Sequence, residues 1–310
     1  MYLNAQTWIN ENKYQEAYAY AVKVIADGHY PLASDYREIF LADNNTCKEI
    51  IWPLVQDGLR AQSSAGTNFY VKAFVNGPMD ELYKTGVGSR GWGNVRAKVS
   101  LVDAFDADDV MFDGNDTWGN NKKDKRAQFM TALPNQVKDT WDVNMDMTST
   151  FTCGYGYIKW RNVTKEDELC PSGDAYTSID FPLFRTADAY LMAAEAILRG
   201  ANGTQSEALG YVNEVRTRAY MSGKYAKNGV RSDVSGEITA NELNLDFLLV
   251  ERQKELASEL TRRTDLIRFG KYTKGNNWDW KNGVRLGADV DDKYNLFPIP
   301  DILETGQNTP

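Results

Sequence analysis

The sequence predicts a mainly α fold, built of antiparallel helix pairs that carry long irregular loops and a few short strands. Three observations predict it. Residues 14–27, 185–200 and 205–219 repeat apolar side chains at helical spacing. Glu242 to Tyr272 does the same with no Gly or Pro before Gly270. Between these segments, 60–94 and 133–182 lose all period and are rich in Gly, Asn and aromatic residues.

Residues 3–28 read as a helical hairpin. Tyr14, Ala17, Tyr18, Ala21, Val24 and Ile25 form one apolar face, and Asp27-Gly28 supplies a left-handed stop. The pair resembles a tetratricopeptide unit, which needs a stacked neighbour to bury its second face. His29 reads as a turn or packing residue without chemistry. Lys48 to Trp52 reads as a short strand stopped by Pro53, and a second strand is expected at Ala127 to Thr131. Gly154 to Trp160 alternates and forms a third candidate strand. The helices at 185–200 and 205–219 form another pair, split by Gly200-Ala201-Asn202-Gly203.

The next helix opens on a capping box, Thr239 to Glu242, and is expected to run roughly five turns, over about 243–262, with a bend near Thr264. Its charges fall at pairing distance along one helix, Glu251 with Lys254 and Glu259 with Arg262 or Arg263. Spacing alone favours a solvated charged face. The alternative is a buried network in which Glu255, Glu259, Arg262 and Asp265 are all structural, and which requires every charge to be paired.

A chain of 310 residues buries one large core or two modest ones. Its net charge of −8 argues against nucleic acid or acidic lipid as partner, because neither is held without clustered Lys and Arg. Lys122, Lys123, Lys125 and Arg126 make the one dense basic run, read here as a surface loop. Asp106, Asp108, Asp109, Asp113 and Asp116 do not follow the spacing of a calcium loop, so a solvated loop is favoured over calcium. Cys47, Cys153 and Cys170 contain no close pair for a structural zinc, and a Cys153–Cys170 bridge stays open. No metal or cofactor is expected, and no apolar run approaches the roughly 18 residues of a membrane span.

The 8 Trp, 17 Tyr and 12 Phe carry the functional signal. Phe69, Tyr70, Phe74, Tyr83 and Trp92 lie in a long irregular stretch, which argues against disorder and for binding. Apolar faces of sugar rings stack on such side chains while Asn and Arg read hydroxyls. Tyr70, Tyr83, Trp92, Arg90 and Asn94 are therefore the candidate glycan-binding residues, with Gly91 and Gly93 leaving the Trp92 indole unshielded. Trp278 and Trp280, in a second aromatic loop, are read as packing. Two rival classes are a peptide-binding helical scaffold and, less favoured, a glycoside hydrolase, which needs two carboxylates about 5–10 Å apart.

Four ordered motifs add a resemblance. Glu251-Arg252, Glu255-Leu256, Glu259, Arg262-Arg263 and then Asp265 to Gly270 resemble the C-terminal signature of the SusD/RagB family of glycan-binding outer-membrane lipoproteins. Phe184 to Ala196, Ala208 to Ala219 and Phe297-Pro298-Ile299-Pro300 resemble three further motifs of that family, and Gly91-Trp92-Gly93 with Leu101 to Phe105 resembles a fourth region. Ser258, Leu260, Arg263 and Thr264 depart from the commoner signature. The resemblance implies a SusD-like α/α superhelix in one domain: a helical hairpin and connection over 1–55, a ligand-facing region over 56–183 and signature helices over 184–310. It also implies non-catalytic binding of polysaccharide or oligosaccharide, a TonB-dependent transporter as partner, and a surface-exposed location at the outer membrane. The chain would then be the C-terminal part of a member whose signal peptide and lipid-modified cysteine lie upstream.

Overall fold

A computed structural model of the chain describes residues 1–62, 64–75, 80–81, 83–110, 118–130, 154–221, 234–275 and 278–298. Among these the protein is mainly helical, and it falls into two compact units, Met1–Leu260 and Thr261–Pro310.

In the first unit, α1 (Tyr2–Asn10) and α2 (Tyr14–Asp27) form the expected hairpin, with α2 closed by Gly28 at φ 73°. Helix α4 (Thr186–Leu198) packs against α1, α2, α5 (Gln205–Met221) and α6 (Leu245–Leu256). Its composition explains how one helix serves so many neighbours. Ala187, Ala189, Ala193, Ala194 and Ala196 are all fully buried, and small side chains let backbones approach from several directions. One flank buries Ala189, Met192 and Ala193 against Ala5, Ile9 and Ala21, while the other buries Leu191 and Ala194 against Val212, Val215 and Leu248.

The described parts of the irregular stretches close around their own aromatic core, where Trp160 stacks on Phe181 at 5.5 Å and meets Phe40 edge-on at 4.9 Å. Two small antiparallel sheets stitch it together: β1 (Ile50–Leu54) with β4 (Phe181–Arg185), and β2 (Phe129–Met130) with β3 (Gly156–Tyr157). Strand β1 passes through Pro53 instead of stopping before it. A two-stranded sheet with register irregularities at Trp52 and Pro53 tolerates the missing amide donor. Segment 60–94 also contains a helix that period alone did not indicate, α3 (Thr67–Ala73).

The signature segment departs from the expected single helix at both ends. Thr239 and Glu242 do bond reciprocally, Thr239 N donating to Glu242 Oε2 at 2.8 Å, but they close a turn. The helix itself is capped by Asn244, whose Oδ1 accepts from Phe247 N at 2.9 Å. It ends at Leu256, because Ala257 turns to ψ 135° and Ser258 and Leu260 adopt φ of 63° and 64°. Helix α7 (Arg262–Arg268) follows in the second unit, where Asp265 pairs with Arg268 at 2.7 Å within the same helix. There too, Arg263 donates to Tyr294 O, and Trp278 packs on Tyr272 at 5.4 Å.

The charges of α6 form the buried network, not the solvated face, and their partners come from other elements. Arg185 donates to Glu49 at 2.8 Å, Glu255 at 2.6 Å and Glu259 at 2.6 Å. Arg126 forks onto Asp124 at 2.8 Å and reaches Glu251 at 2.7 Å and Glu255 at 3.2 Å. Arg218 adds contacts to Glu49 and Glu255, and Arg216 binds Glu251 at 2.6 Å. Lys159 donates to Glu259 and to the carbonyl of Ala257 at 2.8 Å, placing a cation on the C-terminus of α6. Lys125 and Arg126 are wholly buried, so the basic run is in part an interior feature and not a surface loop. Asp109, read as part of a solvated loop, is buried and accepts from Lys123 N at 2.7 Å and Asp124 N at 3.0 Å. Asp113, Asp116 and Cys153 lie outside the described residues.

Two outcomes are expected from this network. Arg185→Ala removes the cation shared by three buried carboxylates, leaving Arg218 on Glu49, Arg218 and Arg126 on Glu255, and Lys159 on Glu259, and should lower unfolding free energy by about 3 kcal/mol in denaturant titration. Burial alone would raise the Glu255 carboxyl, but Arg218, Arg185 and Arg126 outweigh it and hold Glu255 well below the usual carboxylate range. A pKa depressed on folding stabilises above the unfolded value of 4.5 and loses that contribution as pH falls toward the folded value. Melting temperature should therefore fall below about pH 4.5, and Glu255→Gln should flatten that acid limb.

Candidate functional site

Helix α3 positions the aromatic residues that face solvent. It opens at Gly66, with φ 62° and ψ −136°, a backbone region that a side chain does not tolerate. A Cβ there would also lie 2.4 Å from Gln56 Nε2. The following Thr67 hydroxyl is buried among Gln56 Oε1 at 2.7 Å, Thr177 Oγ1 at 2.9 Å and the Ile179 carbonyl at 2.8 Å, which pins the start of the helix. Helical spacing then puts Asn68, Val71 and Lys72 inside and leaves Phe69 40% exposed.

Trp92 is fixed from the other end of the same helix. Trp92 N donates to the Lys72 carbonyl at 2.8 Å, Gly93 N to Val75 O at 2.9 Å and Val95 N to Ala73 O at 2.9 Å. These bonds satisfy carbonyls at the C-terminus of α3 that have no partner within the helix. Gly93, at φ 59°, makes the turn, and the indole is left 42% exposed. The result is a tilted pair, with Phe69 and Trp92 ring centroids 6.1 Å apart and planes at 60°.

The sequence candidates divide accordingly. Trp92 is exposed, and Tyr70 is half-buried, one face stacked on Trp160 at 5.4 Å and on Phe181 at 5.9 Å. The two do not stand alone, because Phe69 lies between them, 5.9 Å from Tyr70 and 6.1 Å from Trp92. Tyr83 is a correction: it is 0% exposed within the aromatic core and offers no face to a ligand. Arg90 is exposed but engaged, its Nε donating to Asp174 Oδ1 at 2.9 Å. Asn94 is exposed. The neighbouring Lys72 ammonium donates to the Ala175 carbonyl at 2.6 Å, and burial, then the Arg90 charge, holds it below its ordinary range.

Phe69 was missed in the sequence, where an aromatic in an irregular stretch carries no sign of its exposure. Only the short helix distinguishes it. Beside it opens a pocket of about 460 Å³ with walls of Leu54, Tyr70, Phe181 and Leu260, and no acidic residue among the described residues that line it. No group of three or more His, Cys, Asp or Glu among the described residues is placed to hold a metal ion. No described helix is long and apolar enough to cross a membrane.

Comparison with known proteins shows the family and the fold. The profile described as SusD family matches residues 48–302. The starch-binding protein SusD of Bacteroides thetaiotaomicron is 31% identical over 97% of this chain and 55% of its own length. A SusD-like protein of Formosa agariphila is 25% identical over 86% of this chain and 48% of its own. The chain thus spans about half the length of the curated relatives it matches. Among solved structures, surface glycan-binding protein A of Bacteroides thetaiotaomicron, in complex with laminarihexaose, superposes with a TM-score of 0.64 at 19% identity, covering 98% of this chain and 60% of that one. A SusD superfamily protein of Parabacteroides distasonis superposes with a TM-score of 0.60, also at 19% identity, covering 99% and 60%.

The site's dependence on Gly66 is directly testable. Gly66→Ala should cost more than about 1 kcal/mol of stability, since its φ of 62° and the Gln56 amide both oppose a Cβ. Gly173→Ala, also at positive φ but with nothing near its Cβ, separates the backbone term from the clash.

Proposed function

The chain belongs to the SusD family, and from that premise we propose that it binds glycan without cleaving it, at the Phe69–Trp92 face of the first unit. The observation that carries the reading is this tilted, solvent-open aromatic pair, Phe69 on α3 and Trp92 tied by its amide to the end of that helix. Sugar rings present apolar C–H faces that stack on such side chains, and two rings at 60° follow a glycan whose successive units turn. Asn94 and the Arg90–Asp174 pair flank Trp92 in sequence or by contact and supply polar groups for hydroxyls.

The names of the relatives support the same reading, one being a starch-binding protein and one structure holding laminarihexaose. In the full-length protein, glycan binding serves nutrient uptake: the protein sits at the outer cell surface, anchored by lipid, and passes its ligand to a TonB-dependent transporter.

Affinity electrophoresis of the full-length protein through soluble starch, laminarin and xylan tests the reading. Retardation by at least one polysaccharide, without release of reducing ends, is expected. Trp92→Ala and Phe69→Ala should each weaken that binding by roughly five- to tenfold, since a stacked ring is worth about 1 kcal/mol, with melting unchanged. Reducing-end release, or retardation by none of the three, contradicts it.

A further inference from the structure

The pocket beside the aromatic pair has a chemistry that a bare sugar does not match. Its volume is about 460 Å³, and Leu54, Gly66, Phe69, Tyr70, Phe181 and Leu260 provide most of its wall. Leu54 and Leu260, 51% and 73% exposed, continue the apolar surface to its rim. Contiguous exposed apolar surface of this kind marks a binding site, whereas scattered exposed Leu does not. The polar side chains are few. Ser64 is at the exposed margin, the Gln56 carbonyl oxygen is already taken by the Thr67 hydroxyl, and the Gln56 amide nitrogen and Tyr70 hydroxyl are fewer than the hydroxyls of one sugar ring. A pyranose has hydroxyls around its whole edge, and each one buried against carbon would lose its water without gaining a partner.

Phe69 is the shared element. Its ring is one wall of the pocket and also lies 6.1 Å from Trp92. A sugar stacked on the exposed pair keeps its hydroxyls in water, while a group branching from it meets the pocket across the same ring. Resting on the glycan reading above, we propose that this pocket binds an apolar acyl substituent, an aromatic ester in particular, carried by the glycan. The pocket is large enough to admit an aromatic ring, and the half-buried Tyr70, backed by Phe181 at 5.9 Å, gives it a π-face to pack on. The protein then selects ester-decorated chains over bare ones.

The test compares each polysaccharide of the panel in two forms, parent and lightly benzoylated, by affinity electrophoresis of the full-length protein. Wild type should bind the benzoylated form about tenfold more tightly, the effect of burying part of one aromatic ring. Leu260→Asn removes an apolar wall at a residue whose φ of 64° Asn accepts readily, and Ala65→Leu fills the pocket from an exposed position. In both, with melting checked, the ratio between the two forms should fall below about threefold. A ratio near one in wild type, or a tenfold ratio retained in both variants, overturns the pocket assignment and leaves the glycan reading standing. Retardation by neither form of any polysaccharide overturns both.

Discussion

The structure depends on a cluster of buried charges at the C-terminal end of α6. Glu255 accepts from Arg185, Arg218 and Arg126, which arrive from the end of β4, from α5 and from the turn before β2. The carbonyl of the same residue accepts from Tyr36 Oη at 3.2 Å, Arg185 at 2.7 Å and Lys159 at 3.3 Å. Isolated charges do not survive at this depth, so each group holds its neighbours in place or is itself expelled. Burial brings the Lys159 ammonium down to about 8 even with Glu259 beside it. Apolar packing joins helices by shape. This cluster joins helices to the described loop residues Glu49, Arg126 and Lys159 by directed bonds.

The aromatic face inherits that order. Phe40 lies under both Lys159, at 4.1 Å, and Arg185, at 5.8 Å, and carries the contact on to Trp160. Trp160 and Phe181 then support Tyr70, α3 presents Phe69 outward, and Trp92, bonded to the end of α3, stands beside it. A chain of packed rings thus runs from the charge cluster to the solvent-facing pair. Rigidity at the surface matters because stacking on a sugar is weak per ring, and an ordered platform gives up little conformational freedom on binding.

The helix pairs were legible because burial on one face leaves a period, and Ala17, Ala21 and Val24 all occupy the expected side. The early end of α6 was not, since Ala257, Ser258 and Leu260 are ordinary residues whose turn is imposed by the capping of Glu255 and Ala257 carbonyls from elsewhere. Arg126 was hidden inside a run of lysines, and its partners Glu251 and Glu255 lie more than a hundred positions away. The signature motif did point to a network, but i to i+4 arithmetic named partners within the helix where the described pairs of Glu251 and Glu259 are all long-range. The exposure of Trp92 was readable from its flanking glycines. Tyr83 and Phe69 were not, because an aromatic without a period around it is equally at home in a core and on a platform, and only the seven-residue α3 separates them.

The central claim is that the signature charges hold the scaffold and take no part in binding. A double-mutant cycle on Arg126 and Glu251, followed by both chemical denaturation and glycan affinity of the full-length protein, tests it most directly. The account predicts a coupling energy of about 1–3 kcal/mol in stability and glycan dissociation constants unchanged in every variant that remains folded. Lost affinity with stability intact would contradict it, because the charges would then belong to the binding site.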